Sequence, residues 1–183
     1  MNEYAALSRL IENLIRLGTV AEVDHGSFEN NRPPRLRVQS GELLTGWLPW
    51  ITVRAGTDAE WDPPTKGEQV VLFSPSGLTE QGIALTGLFS QQYPANADRA
   101  GLHRRSYSDG AVVEYDSQSH TLMATLPDGG KVHLIAPGGV SILGDVDISG
   151  LVTVSNDVIA AGISLIKHKH PGDSGGTTGA PIK

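Results

Sequence analysis

Val140-Ser141-Ile142-Leu143-Gly144-Asp145, Val146-Asp147-Ile148-Ser149-Gly150-Leu151 and Val152-Thr153-Val154-Ser155-Asn156-Asp157 are successive six-residue words in the stretch from Ala136 to His170. Val140, Val146, Val152 and Val158 open the words. Ile142, Ile148, Val154 and Ala160 follow two places behind, and Gly144, Gly150, Asn156 and Gly162 two further on. Polar residues fall mainly on odd positions: Ser141, Asp145, Asp147, Ser149, Thr153, Ser155 and Asp157. Side chains alternate faces along a strand, so shared parity means a shared face. One face is then a file of branched aliphatics, interrupted at regular intervals by Gly or Asn. That pattern predicts short strands turning at small residues, as in a β-solenoid or an intertwined β-helix. The even parity continues through Ser164 and Ile166 to His168 and His170, which puts two imidazoles in phase with the aliphatic face.

Such a narrow file cannot be buried by one chain. Sister chains around a common axis would cover it, and a trimer closes the prism and removes exposed strand edges. Upstream, Val113–Asp116, His120–Leu126 and Lys131–Ala136 are expected as strands. Pro127-Asp128-Gly129-Gly130 is a hairpin-type turn signal between the last two. These strands are expected to zigzag as a meander before the repeat takes over.

The rest of the chain is read from its beginning. Tyr4, Leu7, Leu10, Ile11, Leu14 and Ile15 recur at helical spacing, and Gly18 is a plausible stop, so residues 1–17 are expected to be a helix. An isolated helix this short is marginal in water, so it packs either on its own domain or on another protein. Thr19–Val23, Leu36–Val38, Leu43–Val53, Gln69–Phe73 and Gly82–Phe89 are expected as strands. Turn chemistry separates them at Asp62-Pro63-Pro64, Lys66-Gly67 and Pro75-Ser76-Gly77, which suits a small closed barrel of the OB type over residues 18–95. Trp47, Trp50 and Trp61 are either a stacking platform for bases or sugars or, the favoured reading, filling for the barrel core or an oligomer interface. Residues 96–106 read as a linker. Arg104 and Arg105 read as solvated.

Composition bounds the function. The 183 residues suggest one or two small domains. The 22 Gly and 11 Pro favour strands and turns over helices. Zero Cys excludes a disulfide framework and a thiolate metal site, and suits folding in a reducing cytosol. The net charge of -6 argues against nucleic acid as a partner. No charged segment precedes an apolar core at the start, so no signal peptide is expected. No apolar run approaches the about 20 residues of a membrane-spanning helix.

His168-Lys169-His170 is the one constellation with ligand character. Two His from one chain do not complete a site, but in a threefold trimer they become six imidazoles in two rings, enough for an octahedron. Imidazole suits Fe, Ni, Cu and Zn, whereas structural zinc is nearly always tetrahedral; iron is therefore the first choice. With every position filled by protein, such a metal would be structural. The small-residue run from Pro171 to Lys183 reads either as a disordered terminus or as a tight cap folding back around the metal.

Gly18–Val23, Arg37-Val38, Trp47-Leu48-Pro49-Trp50 and Gly67-Glu68-Gln69-Val70-Val71 resemble the central spike family of contractile tails. That family includes baseplate assembly protein V of P2-like and Mu-like phages and the spikes of R-type pyocins. The closing run, from His168-Lys169-His170 through Gly175-Gly176-Thr177-Thr178-Gly179-Ala180-Pro181, looks like the family's apex motif. The resemblance covers essentially the whole chain. It implies a homotrimer that is mainly β: an N-terminal helix, an OB-fold barrel, a triple-stranded β-helix over residues 107–166 and a metal-capped apex over 167–183. It implies one iron ion per trimer held by His168 and His170 of each chain. It also implies assembly in the bacterial cytoplasm, attachment beneath the tail-tube hub in the baseplate of a virion or tailocin, and piercing of the target outer membrane on sheath contraction. The length matches minimal spikes that have no enzymatic domain.

Two other classes compete with this reading. A cell-wall-degrading tail tip needs paired carboxylates or an open metal position, and Asp145, Asp147 and Asp157 sit at outward parity, where they are expected to aid solubility. A glycan-binding trimer would bind through its tryptophans and hold no metal.

Overall fold

The computed structural model describes residues 3–172 and 175–179. Positions 1–2 of the expected helix, and 173–174 and 180–183 of the expected cap, lie outside the described residues. The chain forms two compact units, the first ending at Lys131 and the second beginning at Val132. The division falls within residues 107–166, which were expected as one β-region.

Helix α1 spans Glu3–Asn13 and is shorter than its apolar periodicity suggested. Ile15 belongs to the first strand instead. Ala6, Leu10 and Asn13 form the half-buried side of α1. The Leu10 backbone lies against Gly77, whose φ of +71° and lack of a Cβ permit that approach. Leu7, Ile11 and Leu14 remain exposed. The helix therefore packs on its own domain by a narrow side and leaves its main apolar stripe bare.

The barrel is organised by β1, Ile15–Asp24. Its first half pairs with β4, Gln69–Phe73, from Ile15↔Phe73 to Thr19↔Gln69. Its second half pairs with β2, Arg35–Ser40, from Thr19↔Gln39 to Asp24↔Arg35, with a bulge between Val20 and Glu22. Strand β3, Leu43–Leu44, and β5, Ile83–Leu88, complete a five-stranded sheet in the order β3-β2-β1-β4-β5. Gly18 lies inside β1, so it does not stop a helix. The two strands run so close there that a Cβ on Gly18 would sit 2.7 Å from the Gln39 carbonyl oxygen.

The sheet closes through Leu48–Ile51, which makes isolated bridges Leu36↔Leu48 and Trp50↔Ala84 rather than the continuous strand expected over Leu43–Val53. The Leu36 and Leu48 amides exchange hydrogen bonds of 2.8 Å, and Ile51 N–H donates to the Ala84 carbonyl at 2.9 Å. This short segment ties β2 to β5. Alternation does the rest: Leu36 and Val38 on β2 and Val70 and Leu72 on β4 point inward, joined by Val20, Leu48 and Ala84. Arg35, Arg37 and Gln39 take the outward positions.

A meander follows: β6 Leu102–Ser106, β7 Val112–Asp116 and β8 Thr121–Thr125, antiparallel and in that order. Strand β6 occupies what the sequence presented as linker. Its two arginines are paired, Arg104 to Glu114 at 2.6 Å and Arg105 to Asp62 at 2.6 Å, so they are not merely solvated.

In the second unit the described strands are β9, Ile159–Ala160, and β10, Ile163–Ser164, a hairpin turned at Ala161-Gly162. Both turn residues have positive φ, 50° and 83°, as the tight hairpin turn requires. The expected strand Lys131–Ala136 is not formed. Residues 140–158 form no strand within the chain, and Val140, Ile142, Val146, Ile148, Val152 and Val154 are all exposed.

Candidate metal centre at the histidine pair

The β9–β10 hairpin delivers the chain into a turn over Ser164–His168. His168 N–H donates to the Ser164 carbonyl at 3.1 Å, and Lys167 N–H donates to Ser164 Oγ at 3.0 Å. His168 and His170 then lie side by side, with ring centroids 5.1 Å apart and planes at 86°. The rings lie together, but not by strand alternation: a turn stands where the parity argument had placed a strand. Lys169 is exposed.

The tautomer of His168 follows from its neighbours. Its Nδ1 faces the Ser164 carbonyl at 3.1 Å and the Leu165 carbonyl at 2.9 Å. Carbonyls only accept, so Nδ1 carries a proton, and in the neutral ring the lone pair is on Nε2. Histidine ligands in metal sites are held this way, with the second ring nitrogen donating to a backbone carbonyl. The donor set therefore fits a transition metal bound through Nε2. Among the described residues no three His, Asp or Glu side chains gather in one chain, so one copy offers two imidazole donors.

Beyond His170 the chain folds back on itself. His170 N–H donates to Thr178 Oγ1 at 3.0 Å, Thr178 N–H to the His170 carbonyl at 2.9 Å and Gly172 N–H to the Gly176 carbonyl at 2.7 Å. Pro171 bridges Thr177 in antiparallel sense. The described part of the small-residue run is thus a reverse loop pinned beside the second histidine.

Asp157 was not legible as part of this region. Outward parity suggested a solubilising role, but it is half-buried and hydrogen-bonded. The Ser164 hydroxyl donates to its carboxylate, and the Ile166, Val158 and Leu165 amides add to this; together they outweigh burial and hold the carboxyl below its usual range. Asp145 and Asp147 are exposed as expected. A carboxylate seven positions before a Ser, with a Gly turn between, was the available signal.

The tryptophans form no common platform. Trp50 packs on the barrel core, and Trp61 lies 6.1 Å from it and 6.1 Å from His25. Trp47 stands beneath the Arg35 and Arg37 guanidinium groups, at 5.0 and 5.9 Å.

Comparison with known proteins agrees with both ends of this description. Residues 16–89, which span the barrel almost strand for strand, match the type VI secretion system/phage-baseplate injector OB domain. Residues 162–181 match the GpV apex motif, which here begins at the hairpin glycine and takes in both histidines. Along its length the chain is 31% identical to the spike protein of Escherichia phage P2 over 208 aligned positions, covering 96% of each. Likeness that extends from the barrel to the final loop, in the same order and over nearly all of both proteins, places the chain in the central spike family of contractile phage tails.

Proposed function

We propose that three copies of this chain form the spike at the tip of a contractile tail, and that His168 and His170 of each copy hold a single structural iron ion. The observation that carries the trimer is the bare aliphatic file: Val140, Val146, Ile148 and Val152 are each 57–58% exposed in one chain. A contiguous apolar surface of this kind marks an interface. The meander has a second one, where Val113 pairs with Ala124 and Tyr115 with Leu122, leaving Val113, Tyr115 and Leu122 exposed on one face. Sister chains supply the cover in both places.

Six imidazoles on one ion leave no position for a substrate, so the metal's contribution is to tie three chain ends together. His168 presents Nε2 with Nδ1 already engaged, and the 170–178 loop steadies His170 by its own backbone. Chain ends normally fray, and a piercing point concentrates load on its last residues. A metal tie answers that load where too few side chains remain for an apolar core. The role is mechanical rather than enzymatic. The spike is assembled in the cytoplasm, joins the baseplate beneath the tail-tube hub, with the exposed α1 stripe as a contact, and meets the outer membrane of the target only when the sheath contracts.

Mass in solution measured beside elemental analysis tests this reading. The expected result is a trimer with one iron per three chains. A stable monomer, or a trimer purified without chelator that holds no transition metal, overturns it.

A further inference from the structure

We infer that Asp157 is a positioning residue for His168: through the Ser164–Leu165 turn it sets which imidazole nitrogen is free to bind metal. The inference rests on the proposed metal site and adds a residue that does not touch the metal.

The geometry runs through two peptide planes. In a trans peptide the carbonyl of one residue and the N–H of the next point in opposite directions, and none of the described peptide bonds is cis. Ile166 N–H donates to Asp157 Oδ1 at 3.3 Å. That contact turns the Leu165 carbonyl, on the same peptide, away from Asp157 and toward His168 Nδ1, 2.9 Å away. Leu165 N–H donates to the Val158 carbonyl at 2.9 Å, which likewise sends the Ser164 carbonyl toward Nδ1 at 3.1 Å. The Ser164 hydroxyl donates to Asp157 while its oxygen accepts from Lys167 N–H at 3.0 Å, closing the turn. Both carbonyls that accept from Nδ1–H are thus aimed by amides anchored on Asp157 and its neighbour. Without the carboxylate the Leu165–Ile166 plane can rotate, Nδ1 loses the nearer of its two acceptors, and the tautomer with the proton on Nε2, which cannot bind metal through that nitrogen, becomes populated.

The test separates this role from simple turn stabilisation. Histidine-15N-labelled protein is stripped with chelator and the His168 tautomer is read by long-range nitrogen–proton correlation. Wild type should show the Nδ1–H form, Asp157→Ala a mixture, and Asp157→Asn, which keeps an acceptor oxygen for Ile166, a smaller change. Ser164→Ala, which keeps the carbonyl but loses the hydroxyl, should shift the same way. In iron-loaded protein, release to chelator should be about 10-fold faster in Asp157→Ala than in wild type, with the trimer mass unchanged. A wild-type tautomer in Asp157→Ala, or wild-type release from it, overturns the inference. Wild-type protein that takes up no iron would sink the metal site instead, and the tautomer comparison in stripped protein would still decide what Asp157 does.

Discussion

Arg99 Nη2 stands 2.7 Å from Asp116 Oδ2, fastening the segment before β6 to the end of β7. Asp116 also accepts the Gln118 amide at 2.9 Å, so one carboxylate serves both a cross-strand ion pair and the turn into β8. The Arg99 bond first, and that amide second, hold the Asp116 carboxyl far below its usual range. A depressed carboxyl contributes stability that is present above the unfolded value, about 4, and is lost as pH falls through the folded value. Protease cleavage around residues 97–118 should therefore increase below about pH 4. Asp116→Asn should be cleaved more readily at neutral pH and show a flatter acid response. Equal acid responses in the two proteins would remove Asp116 as the cause.

Gly18 is expected to resist every substitution. A Cβ there would meet Val38 Cγ1 at 2.5 Å as well as the Gln39 carbonyl. Gly18→Ala should destabilise the barrel by about 1–3 kcal/mol, the usual cost of forcing extra atoms into a packed site. The denaturant midpoint of the barrel signal, followed by tryptophan fluorescence, measures it. An unchanged midpoint would mean that β1 and β2 separate at no cost.

Ile148→Asp places a carboxylate on the aliphatic file. If three copies meet there, three charges are buried together without partners, at roughly several kcal/mol each. Light scattering should report loss of the trimer, while the barrel, whose core lies elsewhere in the chain, keeps its tryptophan signal. A mutant trimer as stable as wild type would contradict a buried file.

Replacing both His168 and His170 with Ala should reduce bound metal from one ion per three chains to none and expose the C-terminal segment to protease, with the trimer preserved. Protons compete with the metal for the same lone pairs, so metal should also be lost on acidification in the wild type. Mass spectrometry of the protein at graded pH checks both. Metal that survives the double substitution would place the site elsewhere.

Removing residues 3–13 should leave trimer formation intact but lower incorporation into tails, because Leu7 and Ile11 are exposed in the isolated chain. Incorporation equal to that of the full chain would limit α1 to packing on its own barrel through Ala6 and Leu10.

The parts that were legible in the sequence are those whose stability is local and apolar. Gln69–Phe73 reads as a strand to the residue, because a central strand shows its burial as a continuous hydrophobic run. Strand β6 did not, since Leu102 is its one aliphatic and its cross-ladder ion pair, Arg104 with Glu114, is polar. Gly18 carried two meanings, helix stop and close strand contact, and only the Val38 side chain across the sheet decides between them. Lys131–Ala136 has the alternation of a strand but no partner strand among the described residues, and pairing is not written in one segment. The two histidines were singled out for their ligand chemistry. The contacts around His168, the carbonyls of Ser164 and Leu165, depend on peptide orientation, which leaves no trace in residue identity.

Closure of the barrel by Leu48–Ile51 has a kinetic consequence. The residues that complete that core, from Val20 to Ala84, all lie in the first half of the chain and require no second molecule. Barrel formation should therefore be unimolecular, at a rate independent of protein concentration. In the proposed trimer, covering the valines from Val140 onward takes other copies and should slow on dilution. A freshly made chain would then have a folded head and an unfinished tail for an interval set by its own abundance. Refolding followed by barrel tryptophans and by trimer mass should separate into two phases, of which only the second changes with concentration.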